Sequence, residues 1–336
     1  MWGAVVVLAC LSACSYVPPS AWRVMPIEFD NATDGGPENR IDVTYSMTNM
    51  TDDTAGGFWT ESAGSWLHLD SNGDTLRRFN DERFATVHGI SAISPTILAV
   101  SQTGGARTGI FIYDTDAETW TRVDVDATTI GDVTAGTDGQ LVFVDFLGAM
   151  VPEDMNTPPM PTDMRPFAIR TVDRNGQQTT VLGSESGPAA AAVAIEIDSV
   201  GIVYVSTERE TFTIGVDGTR SPMATYPPRK PVLAVNSVGD VLTGASSTEA
   251  TEGSIEWTMP RGSSLARDVI ATKGDCSQSA GTGIAVLTDT ESTSFPFSCN
   301  TNGAAWLNDT TFVLSIGDET GTILARVTPP EKATDR

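Results

Sequence analysis

The stretch Ile97-Leu98-Ala99-Val100, followed by Gly109-Ile110-Phe111-Ile112-Tyr113, decides the fold class. Short apolar runs rich in branched and aromatic residues sit well in strands, and neither is long enough for an ordinary helix. The same texture returns at Leu141-Val142-Phe143-Val144 and at Ile202-Val203-Tyr204-Val205. Between such runs lie Asp70-Ser71-Asn72-Gly73-Asp74, Asp173-Arg174-Asn175-Gly176 and Val216-Asp217-Gly218. Asp, Asn and Gly tolerate positive φ and close tight hairpins. Helical periodicity is almost absent, so the chain reads as all-β.

The runs recur at long range. Comparable strands begin near Phe58, Ile97, Leu141, Ile202, Val241, Ile284 and Phe312, at spacings of 39, 44, 61, 39, 43 and 28. Those spacings suit repeated four-stranded units. The 61 is explained by an insertion over Leu147 to Pro166, whereas the 28 leaves little room for four strands. The expectation is a β-propeller of seven blades, with six left open and a pair of β-sandwiches as the alternative. The small residues of Ala189-Ala190-Ala191-Ala192-Val193 suit an innermost strand, where side chains crowd the axis. The final run, Thr322 to Thr328, and the first, Trp22 to Phe29, each lack a neighbour in sequence; pairing them would remove an exposed edge.

Residues 22–330 as a whole resemble β-propeller lipoproteins of the broad YVTN/NHL/TolB-like type. Ile112-Tyr113-Asp114-Thr115-Asp116-Ala117-Glu118-Thr119-Trp120 resembles a kelch strand–turn–strand, and Gly104-Gly105 resembles the kelch double glycine. At the N-terminus, Val5 to Leu11 is too short to span a bilayer and reads as the apolar part of a secretory signal. Leu11-Ser12-Ala13-Cys14 resembles the bacterial lipobox, whose cysteine is lipidated and becomes the mature terminus, although no Lys or Arg precedes the apolar run. The expected organisation is a signal over 1–13, a tether over 14–21, the propeller over 22–330 and a tail over 331–336.

Four cysteines are present: Cys10, Cys14, Cys276 and Cys299. Removal of Cys10 with the signal and lipidation of Cys14 leave an even pair, expected as a Cys276–Cys299 disulfide outside the cytoplasm. The net charge of −23 argues against nucleic acid and against docking on anionic lipid through charge.

No Gly-x-Ser-x-Gly or His-Glu-x-x-His occurs. His68 alternates with leucines in Trp66-Leu67-His68-Leu69, which places it on a sheet face, and His88 begins an expected inner strand that could line the axis. Both read first as hydrogen-bonded scaffold residues. Asp70 to Asp74 starts like an EF-hand loop, but Thr75 and Asp81 stand where Gly and Glu are required, so a hairpin turn is the reading. Sugar-lactonase-type propellers hold a divalent ion in the channel, and Glu196 and Asp198 are the residues that resemblance would bring there. Met150, Met155, Met160 and Met164 make the insertion a candidate partner-binding loop, or a site for Cu(I). No resident cofactor is otherwise expected.

The favoured expectation is a monomeric lipoprotein of the cell envelope, held by lipid on the extracytoplasmic side, whose propeller binds or scaffolds a protein, peptide or glycan. The alternative is a metal-dependent propeller hydrolase or lactonase with an acidic channel.

Overall fold

The computed structural model describes residues 21–27, 50–62, 65–79, 83–84, 87–102, 108–127, 129–136, 138–147, 165–183, 190, 192–207, 209–223, 233–246, 255–257, 282–287, 292–294, 300–318 and 321–330. Cys14, Cys276, Cys299, Met150, Met155, Met160 and Met164 lie outside these residues.

The described strands form six sheets. Blade 1 holds β2 (Met50–Asp52), β3 (Phe58–Ser62), β4 (Ser65–Leu69) and β5 (Thr75–Phe79). Blade 2 holds β6 (Val87–Ser94), β7 (Ile97–Gln102), β8 (Gly109–Asp114) and β9 (Thr119–Val123). Blade 3 holds β10 (Ile130–Ala135), β11 (Leu141–Phe146), β12 (Phe167–Val172) and β13 (Gln178–Leu182). Blade 4 holds β14 (Val193–Ile197), β15 (Val203–Thr207), β16 (Thr211–Ile214) and β17 (Arg220–Pro222). Blade 5 holds β18 (Leu233–Val235), β19 (Val241–Ser246), β21 (Thr282–Leu287) and β22 (Ser292–Ser294). Blade 6 is built from β23 (Asn300–Asn308), β24 (Thr311–Asp318), β25 (Gly321–Thr328), β1 (Trp22–Pro26) and β20 (Ile255–Trp257).

The innermost strands touch in the cyclic order β2, β6, β10, β14, β18, β23 and back to β2. The sheets are therefore arranged around one axis, as in a propeller.

Six blades replace the expected seven, and the reason is register. Phe58, Ile97, Leu141, Val241 and Phe312 all lie in the second strand of a blade, and Ile202 closes the turn that leads into another. Ile284 does not, because it lies in β21, which pairs with β19 through Gly244↔Ile284 and its neighbours. The short spacing of 28 thus marks a third strand, delayed by the long connection after Ser246.

Among the described residues, seven hairpins share one five-residue turn: Asp53–Gly57, Asp70–Asp74, Gly136–Gln140, Asp173–Gln177, Asp198–Ile202, Gly215–Thr219 and Asn236–Asp240. In each, the first amide donates to the carbonyl of the fifth residue. The fourth residue is always glycine at positive φ, between 76° and 97°, a conformation that a Cβ disfavours. Where the first residue is Asp or Asn, its side chain also accepts amides inside the turn, as Asp70 does from Asn72 (2.8 Å) and Asp74 (2.9 Å). The EF-hand-like segment is therefore a hairpin.

These turns join first to second and third to fourth strands, so they lie on one face. The β7–β8 and β11–β12 connections leave from the other face, where β19 also ends, whereas β20 runs parallel to β1 and so begins on the turn face. At the base of the β11–β12 insertion, the Leu147 amide donates to the Pro166 carbonyl (3.0 Å). Ala190 precedes β14 and bridges Arg165, so the inner strand of blade 4 is Val193–Ile197 and not the alanine run.

β1 lies between two neighbours. It is antiparallel to β25, with Val24 opposite Val327, and parallel to β20, with Trp22 opposite Ile255. Trp22 and Val24 are buried with Leu242, Ile284 and Phe312, which packs the outer part of blade 6 on blade 5.

Candidate functional site at the propeller axis

Side chains from the blades staple the ring. Ser101 Oγ of blade 2 donates to the Gly131 carbonyl of blade 3 (2.6 Å). The Ala135 amide donates to Ser91 Oγ (3.2 Å). Trp306 Nε1 of blade 6 donates to the Ala234 carbonyl of blade 5 (3.2 Å). Inner strands expose an unpaired edge toward the axis, and such bonds satisfy part of it.

The six inner strands contain no Lys or Arg, and their only ionisable side chains are Asp52, His88, Asp132 and Glu196. These fall on four consecutive strands of the ring, β2, β6, β10 and β14. Burial pushes Asp52 up to about 6; the Thr54 amide opposes this and the charge of Asp53 adds to it. Asp132 is buried and rises to about 7, although both of its oxygens accept amides, from Val133 and Ile195. Glu196 rises furthest, to about 8. Burial is the main cause, the hydroxyl of Thr134 (2.7 Å) opposes it, and the charges of Asp52 and Asp132 reinforce it.

β2 and β14 stand three places apart in a ring of six, on opposite sides of the axis. The coupling of Glu196 to Asp52 therefore runs across the axis. His88 lies near the start of β6, toward the long-connection mouth, whereas Asp52 and Glu196 lie near the turn-face ends of their strands. His88 is solvent-accessible on one side, yet the surrounding protein lowers its imidazole below the usual range.

Folds of this type belong to proteins of many activities. No protein-family model matches the chain, and no curated protein matches it. Solved structures do. A structural-genomics protein of unknown function from Bacteroides thetaiotaomicron superposes with a TM-score of 0.55 at 9% identity, covering 92% of this chain and 76% of that one. A protein described as a gluconolactonase gives 0.52 at 12% identity, with 87% and 94% covered. Virginiamycin B lyase from Staphylococcus aureus gives 0.47 at 14% identity, with 83% and 79% covered. The chain is a β-propeller. At these identities the likeness shows the fold alone.

Of the residues singled out from sequence, Glu196 and His88 do sit on inner strands. Asp198 does not join them. It opens the blade-4 turn, where its Oδ1 accepts the amides of Val200 (3.0 Å) and Ile202 (2.9 Å) and its Oδ2 accepts the Tyr204 hydroxyl (3.2 Å). His68 is buried on a sheet face, 2.8 Å from Asp53 and stacked on Trp59 at 4.2 Å. Asp52 and Asp132 went unnoticed in the sequence. Their signal is faint: Asp52 is the residue before an Asp-x-x-Gly-x turn, and Asp132 follows Gly131 in a strand whose only other polar side chain is Thr134.

The residues do not suit the divalent ion implied by the sugar-lactonase resemblance. Among the described residues no three His, Cys, Asp or Glu come together closely enough to hold a metal, and both oxygens of Asp132 are occupied by amides.

Proposed function

We propose that the protein is a lipid-anchored propeller of the cell envelope that admits a small neutral or cationic molecule to its axis and hydrolyses it by acid–base catalysis. The observation that carries this reading is the placement of Asp52 and Glu196 on inner strands that oppose each other across the axis, with carboxyl groups raised to about 6 and about 8. Paired carboxyls pushed apart in this way suit one base and one acid at neutral pH. For an ester or lactone, Asp52 takes a proton from water as the water oxygen bonds to the acyl carbon. Glu196 gives its proton to the leaving oxygen as the acyl–oxygen bond breaks, and the two carboxyls re-equilibrate with solvent. The absence of Lys and Arg from the inner strands disfavours anionic substrates.

The test is pH-resolved hydrolysis of gluconolactone and a series of simple alkyl esters and lactones by wild type, Asp52→Asn and Glu196→Gln. Turnover highest between pH 6 and 8, lost in both variants, supports the reading. No turnover of any substrate, or variants as active as wild type, overturns it.

A second reading has its own observation. The ends of β11 and β12 that carry the methionine-containing segment lie on the face opposite the shared turns. That face suits recognition of a protein, peptide or glycan partner. The anchor rests on Leu11-Ser12-Ala13-Cys14; in the native host, Cys14→Ser is expected to move the protein from the membrane fraction to the soluble one. Unchanged fractionation would count against lipidation.

A further inference from the structure

Blade 1 contains a buried ionisable pair that the acid–base reading does not use. His68, in β4, lies 2.8 Å from Asp53 Oδ2, and the two side chains are only 10% and 4% exposed. Asp53 Oδ1 accepts the amides of Ala55 and Gly57, both at 2.7 Å. Burial opposes ionisation of Asp53, but the bond from His68 and the two amides outweigh it and hold the carboxyl below its usual range. Asp53 is therefore an acceptor, and His68 Nε2 is the donor. The ring is fixed from one side by Trp59, stacked with an interplanar angle of 11°.

Asp53 is the residue after Asp52 and the first residue of the turn that ends β2. The corresponding turn in blade 4 begins at Asp198, two residues after Glu196, and is braced by the Tyr204 hydroxyl. In blade 5 the turn begins at Asn236, whose Nδ2 donates to the Asp309 carbonyl of blade 6 (3.1 Å). The brace in blade 1 differs from these in that its donor is an imidazole, both partners are buried, and its carboxylate directly follows an axial carboxyl.

We infer that the His68–Asp53 pair is a positioning element for Asp52: it holds the turn that aims the axial carboxylate and sets the negative field that this carboxylate feels. The inference rests on the axial acid–base reading for its purpose, but not for its test. Two effects oppose each other at Asp52. The charge of Asp53 raises its carboxyl, and the N–H donated by His68 draws that charge away. The other ionisable groups of the inner strands are Glu196 across the axis, His88 on the adjacent β6 and Asp132 on β10.

The experiment is carbon-detected NMR titration of the Asp52 carboxyl in the full-length protein, with aspartate labelled at Cγ. His68→Phe keeps an aromatic ring on Trp59 and removes the hydrogen bond; it should raise the Asp52 midpoint by about half a pH unit or more. Asp53→Asn removes the neighbouring charge and should lower it by a similar amount. His68→Gln restores an N–H donor and should return the midpoint toward wild type. A pair that merely stabilises the turn would move His68→Phe and Asp53→Asn in the same direction, toward a solvated carboxylate near 4. That result, or a midpoint unchanged in both, overturns the inference. If His68→Phe does not fold, the same contrast is read between His68→Gln and Asp53→Asn: a midpoint lowered only by Asp53→Asn supports the pair, and equal midpoints overturn it. Because the readout is a titration, loss of the hydrolytic reading would leave this result standing.

Discussion

Asp132 of blade 3, a buried carboxyl, accepts the backbone amide of Ile195 in blade 4 at 2.9 Å. Its other oxygen takes the amide of its own neighbour Val133, also at 2.9 Å. One side chain thus closes the inner edge of two adjacent sheets, where the ladder itself has no partner to offer.

The pH dependence of this contact has a definite sign. Burial raises Asp132 from 3.8 to about 7, so the folded protein binds the proton more tightly than the unfolded chain. The favourable contribution is complete below about 4 and is lost as pH rises through 7. Asp132→Asn cannot ionise and should escape that loss. Urea unfolding at pH 5 and pH 8 checks this: wild type should lose on the order of 1 kcal/mol or more relative to the variant. Equal pH dependence in the two proteins would mean that Asp132 does not titrate in this range. Asp132→Ala should cost about 1–3 kcal/mol by orphaning the Ile195 amide.

The same junction demands a glycine in blade 2. A Cβ at Gly89 would lie 2.1 Å from Asp132 Oδ1 and 2.7 Å from the Val133 amide nitrogen. The second of these is backbone and cannot turn aside, so β6 and β10 would have to separate. Gly89→Ala is expected to destabilise by about 2 kcal/mol or more. The melting temperature checks it, and a wild-type value would show that the strands are less closely apposed than described.

Much of this architecture is legible in sequence, because the propeller is built from local rules. Strand runs such as Leu141–Val144 and turns such as Asp173–Gln177 announce themselves without knowledge of what they pack against. Blade number was harder. Ile284 looks like Val241 in composition, and only pairing distinguishes a second strand from a third. The axial site was half legible for a related reason. Glu196 and Asp198 look equivalent, two residues apart, yet one faces the axis and the other is consumed by a turn. Asp132 and Asp52 become prominent only when four inner strands are brought together. A sequence shows alternation along one strand, and the channel is a property of several.

The position of β1 leads to an aggregation prediction. It separates the edge of β25 from that of β20 and buries Trp22 and Val24, at 1% and 0% exposure. A protein beginning after Ile27 would expose both edges and lose four buried apolar side chains, Ala21, Trp22, Val24 and Ile27. Unpaired edges are templates for association with other chains. Trp22→Ala keeps the strand and removes only the indole, so it should cost about 3–5 kcal/mol without creating an edge. Light scattering on purified proteins separates the cases: the truncation should aggregate at temperatures where Trp22→Ala remains monodisperse. A soluble, monodisperse truncation would show that β1 is dispensable.

The coupling across the axis is itself measurable. Burial dominates the rise of Glu196 to about 8, and the Asp52 charge adds to it from the opposite side of the ring. With Asp52 raised only to about 6, it is ionised throughout the range in which Glu196 titrates. Asp52→Asn should therefore lower the Glu196 midpoint while leaving it above an ordinary glutamate, since burial persists. The Thr134 bond acts oppositely: its hydroxyl stabilises the carboxylate from 2.7 Å, so Thr134→Val should raise the midpoint further. NMR titration of glutamate labelled at Cδ reads both variants. A Glu196 midpoint indifferent to Asp52→Asn would mean that the two carboxyls do not face each other across a common channel, and the acid–base pairing would lose its basis.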